Sequence, residues 1–409
     1  MRAWIIGRGR WTAGLWAAVL ALVAACDTLP VLTETAIPGM AEAPDTGRVF
    51  YVTDRAPVQA GHRRAPYGFR RSASMAFGEA VLGFDLLAAD FDDRAIRVRD
   101  VSEQVRFPAT PLPIMRRTGA IRPDAAAVTA YQAAGRAFQD QVARALQARR
   151  QDQVVLFIHG YNNDFDDALT TMANIWQAAG RSAVPIAYTW PADNPGLFGY
   201  FRDRESGEFS IYHLKETLRL LAGVPGLSKI QVIAHSRGTD VASAALREMI
   251  IAARAAGRNP RQVLKIDNLV LAAPDLDFGV VRQRLIAEDF GPAFQTITVY
   301  MNPTDEALGL AQVVNSGQRF GRLAYDELSL IERQQLHQAD NVHFVDVSGV
   351  VSPRGHSYFR ENPVVLTDIV TLLQTDAAPG SPARNLSHLG TNFWMLEQFP
   401  ATTFVPVDR

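Results

Sequence analysis

The chain has 409 residues, 48% of them hydrophobic and 20% charged, with a formal net charge of -1. This is a globular composition, long enough for one large α/β domain with additions, and its balanced charge gives no electrostatic reason to expect a nucleic-acid partner. With a single cysteine, Cys26, no disulfide can form within the chain.

Arginines 2, 8 and 10 precede an apolar run over residues 11–25. That run has the length of a signal-peptide core and is short for a membrane span. It ends Leu22-Val23-Ala24-Ala25-Cys26, which resembles a bacterial lipobox. The expectation is a signal peptide over residues 1–25, followed by a lipidated Cys26 and a flexible tether over residues 26–46. Such a protein is exported, and the acylated cysteine anchors it to a membrane of the bacterial cell envelope, facing the periplasm.

Residues 49–53, 73–84 and 96–105 read as strands that open the sheet in antiparallel fashion. Residues 124–149 carry apolar side chains at helical spacing. Strands and helices then alternate: strand 154–158, helix 166–177, strand 185–190, a loop at 192–207 rich in Gly, Asn and Arg, and helix 212–221. Strand 230–234, helix 239–256 and strands 266–272, 296–300 and 342–347 follow, with a closing helix at 364–373. Alternation of this kind implies a parallel sheet with right-handed crossovers. The domain is expected over residues 47–375, with residues 376–409 as a C-terminal tail.

The chemistry centres on Ala234-His235-Ser236-Arg237-Gly238. A serine at a sharp strand-to-helix turn exposes its hydroxyl above the sheet edge, and small neighbours at Ala234 and Gly238 let strand and helix approach. Nucleophilic catalysis by serine also needs an imidazole base, an acid to orient it, and N–H donors for the developing oxyanion. Of the eight histidines, only His356 lies in the loop after the last core strand. Asp305, just past strand 296–300, has the usual placement for the acid, and Asp275 or Asp277 after the preceding strand are alternatives. Tyr161, in the His159-Gly160 loop, and Arg237 offer the backbone N–H pair. Phe198, Tyr200 and Arg204 in the 192–207 loop are candidates for a small cap that contacts an acyl chain; equally, the loop is a connector whose aromatics pack on the core. No His/Cys/Asp cluster has metal-ligand spacing, and this chemistry needs neither metal nor cofactor.

Several motifs fall in order: Thr53-Asp54-Arg55, Tyr67-Gly68, His159-Gly160-Tyr161-Asn162-Asn163, Thr189-Trp190-Pro191, the serine turn, Ala273-Pro274-Asp275 and Gly355-His356-Ser357-Tyr358-Phe359. Together they resemble a bacterial α/β-hydrolase family described as serine esterase- or lipase-like. The resemblance implies an α/β-hydrolase fold, with a mostly parallel central sheet, helices on both faces and an antiparallel N-terminal start. It also implies the triad Ser236, Asp305 and His356. The leading expectation is hydrolysis of carboxylic esters, lipid esters included. The alternatives are acyl transfer by the same triad and a catalytically silent envelope lipoprotein that uses the fold as a binding scaffold.

Overall fold

The computed structural model describes residues 45–398 apart from 59–65, 86–95, 112–113, 116–118, 120, 339 and 353. Cys26 and the expected signal peptide and tether lie outside the described residues, except for the last two tether positions, Asp45 and Thr46.

The strands of the main sheet are β1 (Thr46–Pro57), β2 (Tyr67–Phe84), β3 (Ile96–Arg106), β4 (Gln153–Ile158), β5 (Val184–Thr189), β6 (Lys229–His235), β7 (Ile266–Ala272), β8 (Thr296–Met301), β9 (Val342–Asp346), β10 (Leu386–Gly390) and β11 (Phe393–Leu396). They form one eleven-stranded sheet in the spatial order β10-β11-β9-β8-β7-β6-β4-β5-β1-β2-β3. β1 to β3 pair antiparallel, β1 joins β5 in parallel, and the centre is parallel throughout. The fold is therefore an α/β-hydrolase sheet with an antiparallel start.

The central strands read as continuous apolar runs because both of their faces are covered. In β6 every residue from Ile230 to His235 is buried. On one face lie α1 (Ala125–Arg149), α3 (Gly196–Ala222) and α4 (Gly238–Ala255); on the other lie α2 (Phe165–Ala178) and α7 (Pro363–Thr375). Two further helices, α5 (Glu306–Asn315) and α6 (Leu330–His337), follow β8. Caps set several of the helix starts. Asp124 accepts the Ala127 N–H, and Asp164 and Asp167 form a reciprocal capping box.

One topological feature positions the site. From β4 the chain crosses to β5 on one side, then returns to place β6 on the other. Crossovers that diverge on either side of a strand leave a crevice at its carboxyl end. His159 and Gly160 leave β4 at that crevice, and Ser236 leaves β6 beside it.

Two regions differ from their expected form. Residues 192–207 are not wholly a loop, because α3 begins at Gly196 and runs unbroken to Ala222. Its buried stripe contains Gly199, Asp203, Ser206, Ser210 and His213, polar or small residues that hide the helical period from an apolar count. Gly199 is a packing residue: a Cβ there would sit 1.7 Å from the Asn194 carbonyl oxygen. The second region is the C-terminal segment, where β10 and β11 extend the sheet beyond β9. Arg384 anchors it through a buried bidentate ion pair, with Nε and Nη2 2.8 and 2.7 Å from the two Asp368 carboxylate oxygens on α7. Tyr300 Oη on β8 donates to the same carboxylate at 2.7 Å.

Candidate active site

Ser236 sits between the last residue of β6 and the first turn of α4 with φ +50°, a left-handed backbone that a non-glycine residue adopts at a cost. Close packing enforces the turn. A Cβ on Gly238 would lie 2.2 Å from the His159 carbonyl oxygen, and one on Gly160 would lie 2.9 Å from Ser236 Cβ. The two glycines let the β4 loop and the β6 turn touch. The Ser236 N–H is held by the Ala272 carbonyl of β7, and its carbonyl accepts from Thr239 Oγ1 at 2.6 Å.

His356 Nε2 lies 2.9 Å from Ser236 Oγ, and His356 Nδ1 lies 2.8 Å from Asp305 Oδ2. The structure therefore brings Ser236, His356 and Asp305 together in one hydrogen-bonded chain. Asp305 is fully buried, while the His356 side chain keeps 20% exposure. Burial disfavours the imidazolium, but the charge and hydrogen bond of Asp305 outweigh it and hold His356 above its ordinary value. Behind this row, His235 stacks on Phe359 and its Nε2 lies 3.3 Å from the His356 carbonyl oxygen. Burial, with His356 nearby, pushes His235 well below its ordinary value, so it stays neutral. Tyr358 ties the histidine loop to the strand ends: its hydroxyl donates to the Tyr300 carbonyl at 2.8 Å and accepts the Ala273 N–H at 3.0 Å.

The alternative acids are engaged elsewhere. Asp277 caps the short helix Phe278–Val281, accepting the Val280 N–H at 3.0 Å. Asp275 accepts from Tyr200 Oη at 2.7 Å and lies 3.5 and 3.7 Å from the guanidinium groups of Arg319 and Arg237. The Arg237 side chain is buried, donating to Tyr200 Oη at 2.6 Å and to Asp240 at 3.1 Å, so it is not a solvated charge beside the serine. Its backbone N–H opens α4. Tyr161 packs edge-on to Tyr200 and donates its hydroxyl to the Gly196 carbonyl at 3.0 Å. Of the cap candidates on α3, Tyr200 reaches this cluster, whereas Phe198 is 82% exposed and Arg204 is also exposed.

Two polar residues that shape the β4 loop carried no assigned role in the sequence. Arg55, fully buried at the end of β1, donates to Asn163 O at 2.8 Å, Ala192 O at 3.0 Å and Thr189 Oγ1 at 2.8 Å. Burial lowers its pKa to about 10, so it remains a cation. It belongs to the Thr53-Asp54-Arg55 motif, which is the sequence signal for it, while its burial shows only in the fold. Its neighbour His159 is pushed down to about 3 by burial and by Arg55, stacks on Trp190 at 5.0 Å and stays neutral. Asp203, buried on α3, accepts the Asn162 N–H at 2.9 Å and Asn194 Nδ2 at 2.6 Å. Asn162 itself is left-handed, with φ +54°. Burial raises Asp203 to about 6. Nothing local in the sequence distinguishes this aspartate from its solvated neighbours.

No curated protein matches this sequence. Among solved structures, an uncharacterized protein from Bacillus cereus ATCC 10987 is similar at 12% identity over 48% of this chain and 61% of its own, with a TM-score of 0.27. The chain thus spans less than two thirds of that protein. A hydrolase from Oleispira antarctica is similar at 13% identity over 52% of this chain and 79% of its own, with a TM-score of 0.22. The family model described as "Alpha/beta hydrolase of unknown function (DUF900)" matches residues 134–375, a stretch that runs from within α1 to the end of α7 and includes Ser236, Asp305 and His356. The chain belongs to this α/β-hydrolase family.

Proposed function

We propose that the protein is a serine hydrolase that cleaves carboxylic esters through an acyl-enzyme on Ser236. The observation that carries this reading is the unbroken contact chain from Asp305 through His356 to Ser236 Oγ, at 2.8 and 2.9 Å. In this reading His356 Nε2 takes the hydroxyl proton as Oγ attacks the ester carbonyl. Asp305 holds the tautomer with the proton on Nδ1 and stabilises the imidazolium that forms. The backbone N–H groups of Tyr161 and Arg237 receive the oxyanion, each typically contributing ~3–4 kcal/mol to the transition state. The imidazolium then protonates the leaving alcohol, and water activated by the same imidazole releases the acid.

The same proposal includes a lipid anchor on Cys26 that holds the domain at an envelope membrane, where lipid esters are the accessible substrates. A fluorophosphonate probe tests the chemistry: it should label the wild-type chain at Ser236 and leave Ser236→Ala unlabelled. An ester panel of increasing acyl length, with the alanine variant as blank, then defines the substrate. Failure to label a folded wild-type chain would overturn the reading. The anchor is tested separately by metabolic labelling with a palmitate analogue, which should be lost in Cys26→Ser.

A further inference from the structure

On the sheet face shared by α3 and α4, the part formed by β7, β8 and β9 has an irregular roof. Residues 278–294 cover it, including a π-helical stretch, Arg282–Ile286, together with the segment from Phe320 to α6. Beneath the roof is a cavity of about 550 Å³, within the range of about 300–1,000 Å³ usual for small-molecule sites. Its floor is Leu271, Ile297, Val299 and Phe344 on the strands, and its far wall includes Leu285 and Phe294. Ser236, Asp305 and His356 are not among the lining residues.

The space is held open by hydrogen bonds. Asn341 Nδ2 donates to the carbonyls of Gly291 at 2.9 Å and Phe294 at 3.0 Å, pinning the roof to the start of β9. Asn392 Nδ2 likewise holds the Leu336 carbonyl of α6 at 2.9 Å and the Val342 carbonyl at 2.8 Å. A site whose walls are already fixed loses little freedom on binding. The lining residue Gln335 carries an unanswered polar atom just behind the wall: its Oε1 is buried without a hydrogen-bond partner. A buried acceptor in that state favours a ligand that brings a donor. At the rim the single cation, the exposed Arg261, is outnumbered by Asp289 and Asp340, which gives an anionic head group no attraction.

We propose that this cavity binds a neutral single-chain amphiphile. Its aliphatic chain lies along the strand floor, and the Gln335 amide turns toward the cavity so that Oε1 accepts from a head-group hydroxyl. The site is separate from Ser236, so occupancy does not require hydrolysis. The test is calorimetric titration of the full chain with 1-O-decylglycerol below its micelle concentration. The ether link resists hydrolysis, so the result is independent of the proposed esterase chemistry. The expected result is one-to-one binding that Leu285→Trp, which fills the cavity from its roof, weakens by roughly tenfold or more. Gln335→Leu should weaken binding several-fold by removing the acceptor, with the melting curve retained. Absence of saturable binding overturns the proposal, as does undiminished affinity in Leu285→Trp. Should Leu285→Trp fail to fold by circular dichroism, Gln335→Leu decides, and unchanged affinity in it overturns the proposal.

Discussion

The carboxylate of Asp305 serves two partners at once: Oδ2 meets His356 Nδ1 at 2.8 Å, and Oδ1 accepts the Leu308 N–H at 2.9 Å as the cap of α5. One oxygen orients the imidazole while the other fixes the helix that holds the carboxylate in place.

This division separates two substitutions. Asp305→Asn keeps a capping oxygen but presents an N–H to Nδ1, which favours the wrong tautomer. Ester turnover should fall by about 10³–10⁴-fold, with little change in melting temperature. Asp305→Ala should lose activity to a similar degree and about 1 kcal/mol of stability with the cap. Steady-state kinetics paired with thermal melts distinguishes the two; a wild-type rate in Asp305→Asn would exclude the acid role.

The direction of the His356 shift sets a pH profile. As a base, His356 works only when neutral, so kcat/KM should fall as pH drops through its raised value, with a midpoint above 6.5. Removing Asp305 removes the support for the imidazolium and leaves burial to oppose it. In Asp305→Ala the residual activity should titrate at lower pH than in the wild type. A midpoint that stays fixed between the two proteins would contradict the assignment.

Asp203 makes no contact with the triad yet supports the loop that carries Tyr161. Asp203→Ala removes the acceptor of the Asn162 N–H at a part-buried contact, where water can replace it, a loss of about 1 kcal/mol. Asn162 is then free to leave its left-handed backbone, and kcat should drop more than KM changes. A second change, Asn162→Gly, adopts that backbone without strain and should recover part of kcat in the Asp203→Ala background. A purely structural role for Asp203 predicts lower stability with kcat unchanged.

Arg384 and Asp368 form the most buried ion pair among the described residues, with side-chain exposures of 0% and 2%. Arg384→Met leaves a carboxylate buried with only Tyr300 for company, and should cost about 3–5 kcal/mol. Replacing both partners, Arg384→Met with Asp368→Leu, should restore much of that loss. Chemical denaturation of the wild type, Arg384→Met and the double variant measures that recovery; equal destabilisation in the single and double variants would refute it.

The parallel strands and the serine, aspartate and histidine loops were legible in the sequence because each rests on a local signal. Apolar runs mark the strands, small residues flank Ser236, and chain order separates His356 from the other histidines. Strand position favoured Asp305 over Asp275 and Asp277 but left both as alternatives, since all three follow a strand. Only the fold shows that Asp275 faces arginines and Asp277 faces a helix N-terminus. The first half of α3 was illegible because its buried face is glycine, serine and aspartate rather than leucine. Asp203 was hidden for the same reason, since its partners Asn162 and Asn194 sit on loops that meet it only after folding. The C-terminal strands were missed because their anchor, Arg384 to Asp368, joins α7 to the short segment that follows it by a contact no periodicity records.

The placement of β10 and β11 bears on how the molecule is built. They follow every other strand in the chain yet shield the open side of β9, whose backbone otherwise offers unpaired N–H and C=O groups. During synthesis, the nascent sheet therefore carries a bare, adhesive border at β9 until β10 and β11 arrive. That is a window in which a chaperone, or a neighbouring nascent chain, competes for the same border.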